Sequence, residues 1–293
     1  MALELENPRH ILARYGLHPR RSLGQNFLVH PTAPGRIAAG AEIGPEDTVL
    51  EVGAGVGTLT AALAEQAKRV IAVETDPQLV SVLRAELGAR ENVEIVPGDI
   101  LELDPVDLLG VTPAESAPLW GERIENYLVV ANLPYYITSA VIRHLLEAEI
   151  RPARMVFTVQ YEVAKRMVAA DGKLSILALS LYFYGKPEYL FRLKRGAFYP
   201  APRVDSAVVR LDLYREPPLV LPGVEIFFRV VRAGFAQRRK QLRNTLAAGL
   251  QLAPQSVEEA FAGLDVSYTR RAETLALEEW EAVIQALYPL LQA

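Results

Sequence analysis

The sequence predicts an α/β domain built on a largely parallel, doubly wound sheet, followed by a smaller domain that is all helix. Two observations carry this. Short apolar runs alternate with segments of helical periodicity through the first two-thirds of the chain, and alternating β and α units stack their strands in parallel. The alternation stops at EPPLVLPG, Glu216 to Gly223, where three prolines and a glycine break the pattern. Everything beyond reads as helix, so residues 1–216 are expected to form one domain and 217–293 the other. The chain has 293 residues, half of them hydrophobic, enough for two packed cores.

The elements follow in order. TVLEV (Thr48 to Val52), RVIAVE (Arg69 to Glu74), VEIV (Val93 to Val96), YLVVA (Tyr127 to Ala131) and RMVFTVQ (Arg154 to Gln160) are apolar runs of strand length. Between the first three, LTAALAEQA and PQLVSVLRAEL carry apolar residues at helical spacing. Asp104 to Asn126, with prolines and polar residues, reads as a surface connection. KPEYLFRLK and RVDSAVVRLDLY read as two more strands, paired at the sheet edge. In FFRVVRAGFAQRRKQLRNTLAAGL, Phe228, Val231, Phe235, Leu242 and Leu246 fall on one helical face with basic residues on the others.

Composition narrows the chemistry. There are no cysteines, which excludes disulfides and thiol catalysis, and the four histidines show no metal-ligand spacing. The longest apolar run, LSILALSLYF, is too short to span a bilayer, and MALELENPRH lacks the regions of a signal peptide. A cytoplasmic setting with no membrane is expected. The net charge is −4, yet no acidic residue occurs from Ile226 to Ser256. That stretch holds Arg229, Arg232, Arg238, Arg239, Lys240 and Arg243, and HPRRSLGQN adds a second basic cluster near the amino end. Segregated charge of this kind suits a polyanion partner despite the acidic total.

LEVGAGVGTLT, Leu50 to Thr60, lies where the first strand gives way to a helix. Its glycines at 53, 55 and 57 let the backbone turn tightly and approach a ligand. The spacing is GxGxG, not the dinucleotide G-x-G-x-x-G, and no phosphate-binding lysine follows. Glu74 ends the second strand about twenty residues on, where a carboxylate can accept from both hydroxyls of a ribose. Asp99, in PGDIL, can accept from an adenine amine. Singly these are loop carboxylates; together they outline an adenosine-shaped crevice, open to either NAD or S-adenosylmethionine.

NLPYY, Asn132 to Tyr136, decides between them. Pro134 stops the strand, leaving the Asn132 amide and the Tyr135 ring at its tip. An aromatic exocyclic amine is a poor nucleophile because its lone pair is delocalised into the ring. The Asn132 side-chain oxygen and the Leu133 backbone carbonyl can accept its two N–H bonds and favour a pyramidal nitrogen, while Tyr135 stacks on the base. Positioning and electrostatics then carry most of the rate of methyl transfer. The plain alternative is a strand-terminating turn with a core tyrosine.

SLGQNFL, LEVGAGVGTLT, VIAVETD, PGDIL, NLPYYITS, GAFYPAPRVDSAVVRL and FAQRRKQLRNTL together resemble the ribosomal RNA adenine dimethyltransferase family, from about Ser22 to Leu246. The resemblance implies a Rossmann-like S-adenosylmethionine-dependent methyltransferase domain with a small helical domain. It also implies N6,N6-dimethylation of two adjacent adenosines near the 3′ end of small-subunit (16S) rRNA, with the small ribosomal subunit as partner of a monomer. By this resemblance Asn26 and Leu28 belong to a cofactor lid, and Gly53 lies near the methionine moiety. Glu74 is the ribose ligand, Asp99 the adenine ligand, and Asn132 is shared by cofactor and target amine. Phe198 is the aromatic on the other face of the target base, for which a core aromatic is the plain alternative. Arg232, Arg239, Lys240 and Arg243 are the expected RNA contacts, as a basic stripe on one helix. The chain departs from the family at Tyr161, where lysine is usual, and in the short ADGKLS loop, Ala170 to Ser175.

Three other readings share parts of this pattern. An erythromycin-resistance type methyltransferase has the same catalytic half but acts on large-subunit rRNA. A non-catalytic assembly factor with a vestigial site would fail to bind S-adenosylmethionine. Glutamine and DNA amine methyltransferases use related Asn-Pro-Pro-Tyr turns.

Overall fold

A computed structural model describes residues 6–113, 121–216 and 218–292. The amino-terminal five residues, the middle of the 104–126 connection and Pro217 at the expected boundary lie outside the described residues. The strands are β1 (Phe27–Leu28), β2 (Thr48–Val52), β3 (Arg69–Glu74), β4 (Val93–Pro97), β5 (Glu122–Ala131), β6 (Ile150–Gln160), β7 (Gly185–Leu193), β8 (Phe198–Tyr199) and β9 (Ser206–Leu213). Seven of them form one sheet in the order β4-β3-β2-β5-β6-β9-β7, and β1 pairs with β8 in a separate two-stranded ladder.

From β4 to β6 every pairing is parallel, and β9 runs antiparallel to β6. The central strands read as unbroken apolar runs because both faces are covered: Val49, Leu50, Val70, Ile71 and Val130 have no exposed surface. The helix after β3, Pro77–Leu87, starts where Asp76 accepts a hydrogen bond from the Gln78 N–H and Pro77 fixes the first turn. KPEYLFRLK and RVDSAVVRLDLY are strands, but β9 lies inside the sheet and, of the two, only β7 is an edge strand. The 104–126 connection contains a helix, Pro105–Leu109, capped by Asp104, and β5 begins at Glu122, five residues before the apolar run. A register irregularity between Ile124 and Leu128 separates that polar extension from the buried part.

The chain divides into two compact units, one through Ala164 plus Glu188–Leu213 and the other Lys165–Pro187 plus Tyr214 onward. The second unit therefore includes residues 165–187, which a single boundary at the proline-rich break assigns to the first domain. The reason is aromatic packing: Phe183 stacks on Phe227 at 4.3 Å and Tyr184 on Phe228 at 6.2 Å.

Within the second unit the basic segment is not one helix. Helix Val224–Phe235 stops, residues 236–241 turn, and helix Leu242–Leu250 begins afresh. Three successive cations, Arg238 to Lys240, offer nothing apolar to bury. The new helix instead anchors its first N–H groups on the carbonyls of Arg270 and Tyr268, at 2.9 and 3.1 Å. The buried stripe of the first helix runs through Phe227, Val230, Val231 and Gly234; Phe228 is only partly buried. Gly234 is obligatory there, since a Cβ would meet the Trp280 ring at 2.4 Å. No helix among the described residues is long and apolar enough to cross a membrane.

Candidate active site

Val52 and Ala131 are register partners in the parallel pair β2–β5, so Gly53 and Asn132 leave the sheet side by side. The strand order proceeds outward from β2 to β3 and β4 in one direction and to β5 in the other. Such a switch point opens a crevice at the carboxyl ends of the strands. The cleft there is lined by Asn26, Leu28, Gly53, Glu74 and Asp99 on one part, and by Asn132, Leu133, Tyr135 and Phe198 on another. All nine residues predicted to bind cofactor or target thus meet in one cavity of the first unit.

Glu74 is 6% exposed, and its two oxygens accept from Gly55 N–H at 2.8 Å and Asp76 N–H at 2.9 Å. Burial pushes its carboxyl above the usual range, and those backbone N–H groups pull the other way. Each carboxylate oxygen can accept more than one hydrogen bond, so both remain able to take a ribose hydroxyl. Gly53 has φ +74°, and a Cβ built on it would meet no atom within 4 Å among the described residues beyond its chain neighbours, so a side chain there would fill the cleft itself. Asp99 accepts Leu101 N–H with one oxygen at 3.0 Å, leaving the other for an outside donor. A buried diol acceptor, an open glycine and a loop acceptor in one cleft fit an adenosyl cofactor. Glu74, Asp99 and Gly53 would hold its ribose, adenine and amino-acid ends.

At the opposite wall the Asn132 amide is oriented by the amino-terminal segment. Its Nδ2 donates to the Asn26 carbonyl at 3.0 Å, which leaves Oδ1 as the remaining acceptor of an amide that lines the cleft. Asn26 is held in turn, its own Nδ2 donating to the Gly24 carbonyl at 2.8 Å. Tyr135 is partly buried, with its hydroxyl 2.6 Å from Ser206 Oγ, and burial raises its ionisation above the ordinary tyrosine range. Phe198 is 2% exposed and opposite Leu28 in the β1–β8 ladder, so it is at once a core residue and a wall of the cleft.

The cleft also contains Tyr136, 66% exposed and packed on Gly24, a position that the sequence pattern gives no reason to single out. Glu51 is a second such residue: 1% exposed, with Oε2 lacking a hydrogen-bond partner among the described residues. Burial pushes its carboxyl up to about 8 from 4.5, only partly opposed by Thr60. The folded protein therefore keeps a proton that the unfolded chain releases. The stability this contributes is complete below about pH 4.5 and is lost as pH rises toward about 8. Glu51→Gln should flatten this decline, by as much as about 1.4 kcal/mol per pH unit within the window. Urea denaturation of both proteins at about pH 5.5 and 8 measures it; an equally steep decline in the variant would show Glu51 ionised in the fold.

The four predicted RNA contacts all belong to the second unit. Arg232 is exposed on the first helix, and Arg239 and Lys240 are exposed in the 236–241 turn. Arg243, in the first turn of the next helix, pairs with Glu258 at 2.6 Å. The expected stripe is therefore a turn flanked by two helix ends.

This sheet order, with a glycine loop, a buried carboxylate and an amide at the switch point, defines a Rossmann-like methyltransferase that uses S-adenosylmethionine. A family model described as ribosomal RNA adenine dimethylase matches residues 16–287. A ribosomal RNA small subunit methyltransferase A of Dehalococcoides mccartyi is 44% identical over 275 residues, covering 93% of this chain and 90% of that protein. The Moorella thermoacetica protein of the same name is 42% identical, with 93% of each chain covered. Among solved structures, the 23S rRNA methyltransferase ErmE superposes with TM-score 0.69 at 29% identity, covering 89% of this chain and 99% of that one. A Plasmodium falciparum dimethyladenosine transferase gives the same TM-score at 23% identity over 89% and 96%, a likeness of fold. The chain belongs to the ribosomal RNA adenine dimethylase family.

Proposed function

We propose that the protein dimethylates the exocyclic amines of two adjacent adenosines near the 3′ end of small-subunit rRNA. The observation that carries this reading is the Asn132 amide, which lines the cleft next to the glycine loop and is fixed by Asn26 through its Nδ2, leaving Oδ1 to accept. The bound cofactor supplies an electrophilic sulfonium methyl. Asn132 Oδ1 accepts one N–H of the target amine and the Leu133 carbonyl the other, which turns the nitrogen lone pair toward that methyl. Each transfer ends with loss of one proton from the nitrogen to solvent, so after the first a single N–H remains, and either acceptor can hold it for the second. Tyr135, its hydroxyl tied to Ser206, presents its ring to one face of the base, and Phe198 closes the other. A target adenosine must leave its stack to enter such a cleft.

Methylation of large-subunit rRNA is the second reading, favoured by the likeness to ErmE. The higher identity to relatives named for the small subunit favours the first. Purified small and large subunits, incubated with labelled S-adenosylmethionine, separate the two. Dimethyladenosine at two adjacent positions of small-subunit rRNA is the expected product by mass spectrometry. Transfer to the large subunit alone, or none, would overturn the proposal. The enzyme is proposed to work as a cytoplasmic monomer, its ribosomal substrate being the larger partner.

The second unit docks this substrate through phosphate contacts of Arg232, Arg239 and Lys240, with Arg243 joining when it releases Glu258. Each lost contact should reduce the magnitude of the salt slope of binding by roughly 0.7–0.9. The double substitution Arg239→Ala, Lys240→Ala should weaken subunit binding and flatten its salt dependence, while turnover at saturating subunit persists. An unchanged slope would remove both residues from the interface.

A further inference from the structure

Two of the fastenings of the amino-terminal segment bracket the cleft. One is the Asn132 amide on the Asn26 carbonyl. The other is Asp76, 3% exposed and two residues beyond Glu74. Asp76 Oδ2 accepts from Gln25 Nε2 at 3.0 Å, and its Oδ1 accepts from Arg20 at 3.1 Å and from the Gln78 N–H at 3.1 Å. Gln25 Oε1 accepts the Arg20 N–H at 2.8 Å, so both ends of this side chain are committed. The Asp76 N–H donates to Glu74 Oε1. An unbroken path therefore runs from Glu74 through Asp76 and Gln25 to the Asn26 peptide and the Asn132 amide.

We propose that Gln25, clasped on Asp76, is a positioning residue that couples the ribose-binding carboxylate to the acceptor of the target amine. The coupling rests on the role assigned to Asn132 above. Both ends of the Gln25 side chain are engaged in this clasp, and its backbone is continuous with the carbonyl that orients Asn132. A shift at Asp76 is thus passed to Asn26 over one residue of chain. Filling the ribose site fixes Glu74, and with it the place where Asn132 holds the amine. The segment that covers the cofactor then also sets the nucleophile, so that the amine is aligned when cofactor is present.

The test exploits the polarity of the clasp. Gln25→Glu puts a carboxylate against Asp76 Oδ2 and breaks the bond by repulsion. Adding Asp76→Asn restores it in reverse, the new amide donating to the carboxylate introduced at position 25 while its oxygen still caps Gln78. Gln25→Glu should lower kcat by about 10- to 100-fold with subunit affinity unchanged, and the double variant should recover most of that loss. A second readout needs no reaction: hydrogen exchange of residues 23–28 with and without S-adenosylhomocysteine. The ligand should slow exchange there in the wild type and the double variant, and leave Gln25→Glu unaffected. Equal protection in Gln25→Glu, wild-type kcat in it, or no recovery in a folded double variant would overturn the coupling. Protection and its recovery without methyl transfer to small subunits would leave the coupling standing and refute the proposed function instead.

Discussion

Asn132→Ala is expected to reduce single-turnover methyl transfer by about two to three orders of magnitude, the cost of deleting one preorganised polar group from an active site. Two losses combine in this variant. The target amine has one acceptor fewer, and the Asn26 carbonyl loses the donor that it now receives at 3.0 Å. Subunit affinity should stay near normal, because the residues proposed to dock the subunit lie in the other unit and the lost contact acts mainly in the reactive geometry. Asn132→Asp separates the contributions. It keeps an acceptor but sets a carboxylate against the Asn26 carbonyl, so it should loosen the amino-terminal segment while retaining a hydrogen bond to substrate. Near-normal single-turnover rates in the alanine variant would remove Asn132 from the chemistry.

Phe198→Ala should cost about 3–5 kcal/mol of stability, the usual range for truncating a buried phenylalanine. The ring is 2% exposed and packs in a cluster with Leu28, Ile37 and Leu193. The same truncation removes a wall of the cleft, where stacking on a base contributes roughly 1–3 kcal/mol. Chemical denaturation reads the first effect, and binding of a short RNA carrying an unpaired adenosine reads the second. Because Phe198 faces Leu28 across the β1–β8 ladder, cofactor binding should weaken as well. Unchanged stability with lost RNA capture would confine the ring to the cleft.

The parts of the site that can be read from the sequence are those fixed within one strand and its following turn. Glu74 ends an apolar run, and Gly53 and Asn132 each follow one, so their place at the sheet rim follows from local pattern. Asp99, in the turn after β4, is legible for the same reason. The Gln25–Asp76 clasp cannot be found this way, since it depends on a pairing across some fifty residues between two polar side chains with no periodic signal. Phe198 carries two readings, core and wall, and burial shows that they coexist. The basic segment misleads for a physical reason. Helical spacing of Arg232, Arg239 and Arg243 survives in the sequence although the backbone between them turns, because Leu242 donates its N–H to the carbonyl of a distant loop. The proton on Glu51 is equally illegible, being a consequence of complete desolvation.

The two-residue ladder of Phe27–Leu28 with Phe198–Tyr199 has a consequence for biogenesis. It joins segments separated by most of the catalytic unit, so its closure belongs to the slow, non-local part of folding. During synthesis the amino-terminal segment emerges first, and its strand β1 must wait for β8 before the ladder can close, although its partners at Asp76 and Asn132 are made earlier. A nascent chain can build the glycine turn and the first three strands of the sheet early, yet it lacks the ladder and the ring that complete the cleft. Competence to modify RNA is therefore acquired late, and truncated chains from interrupted translation would be released without it.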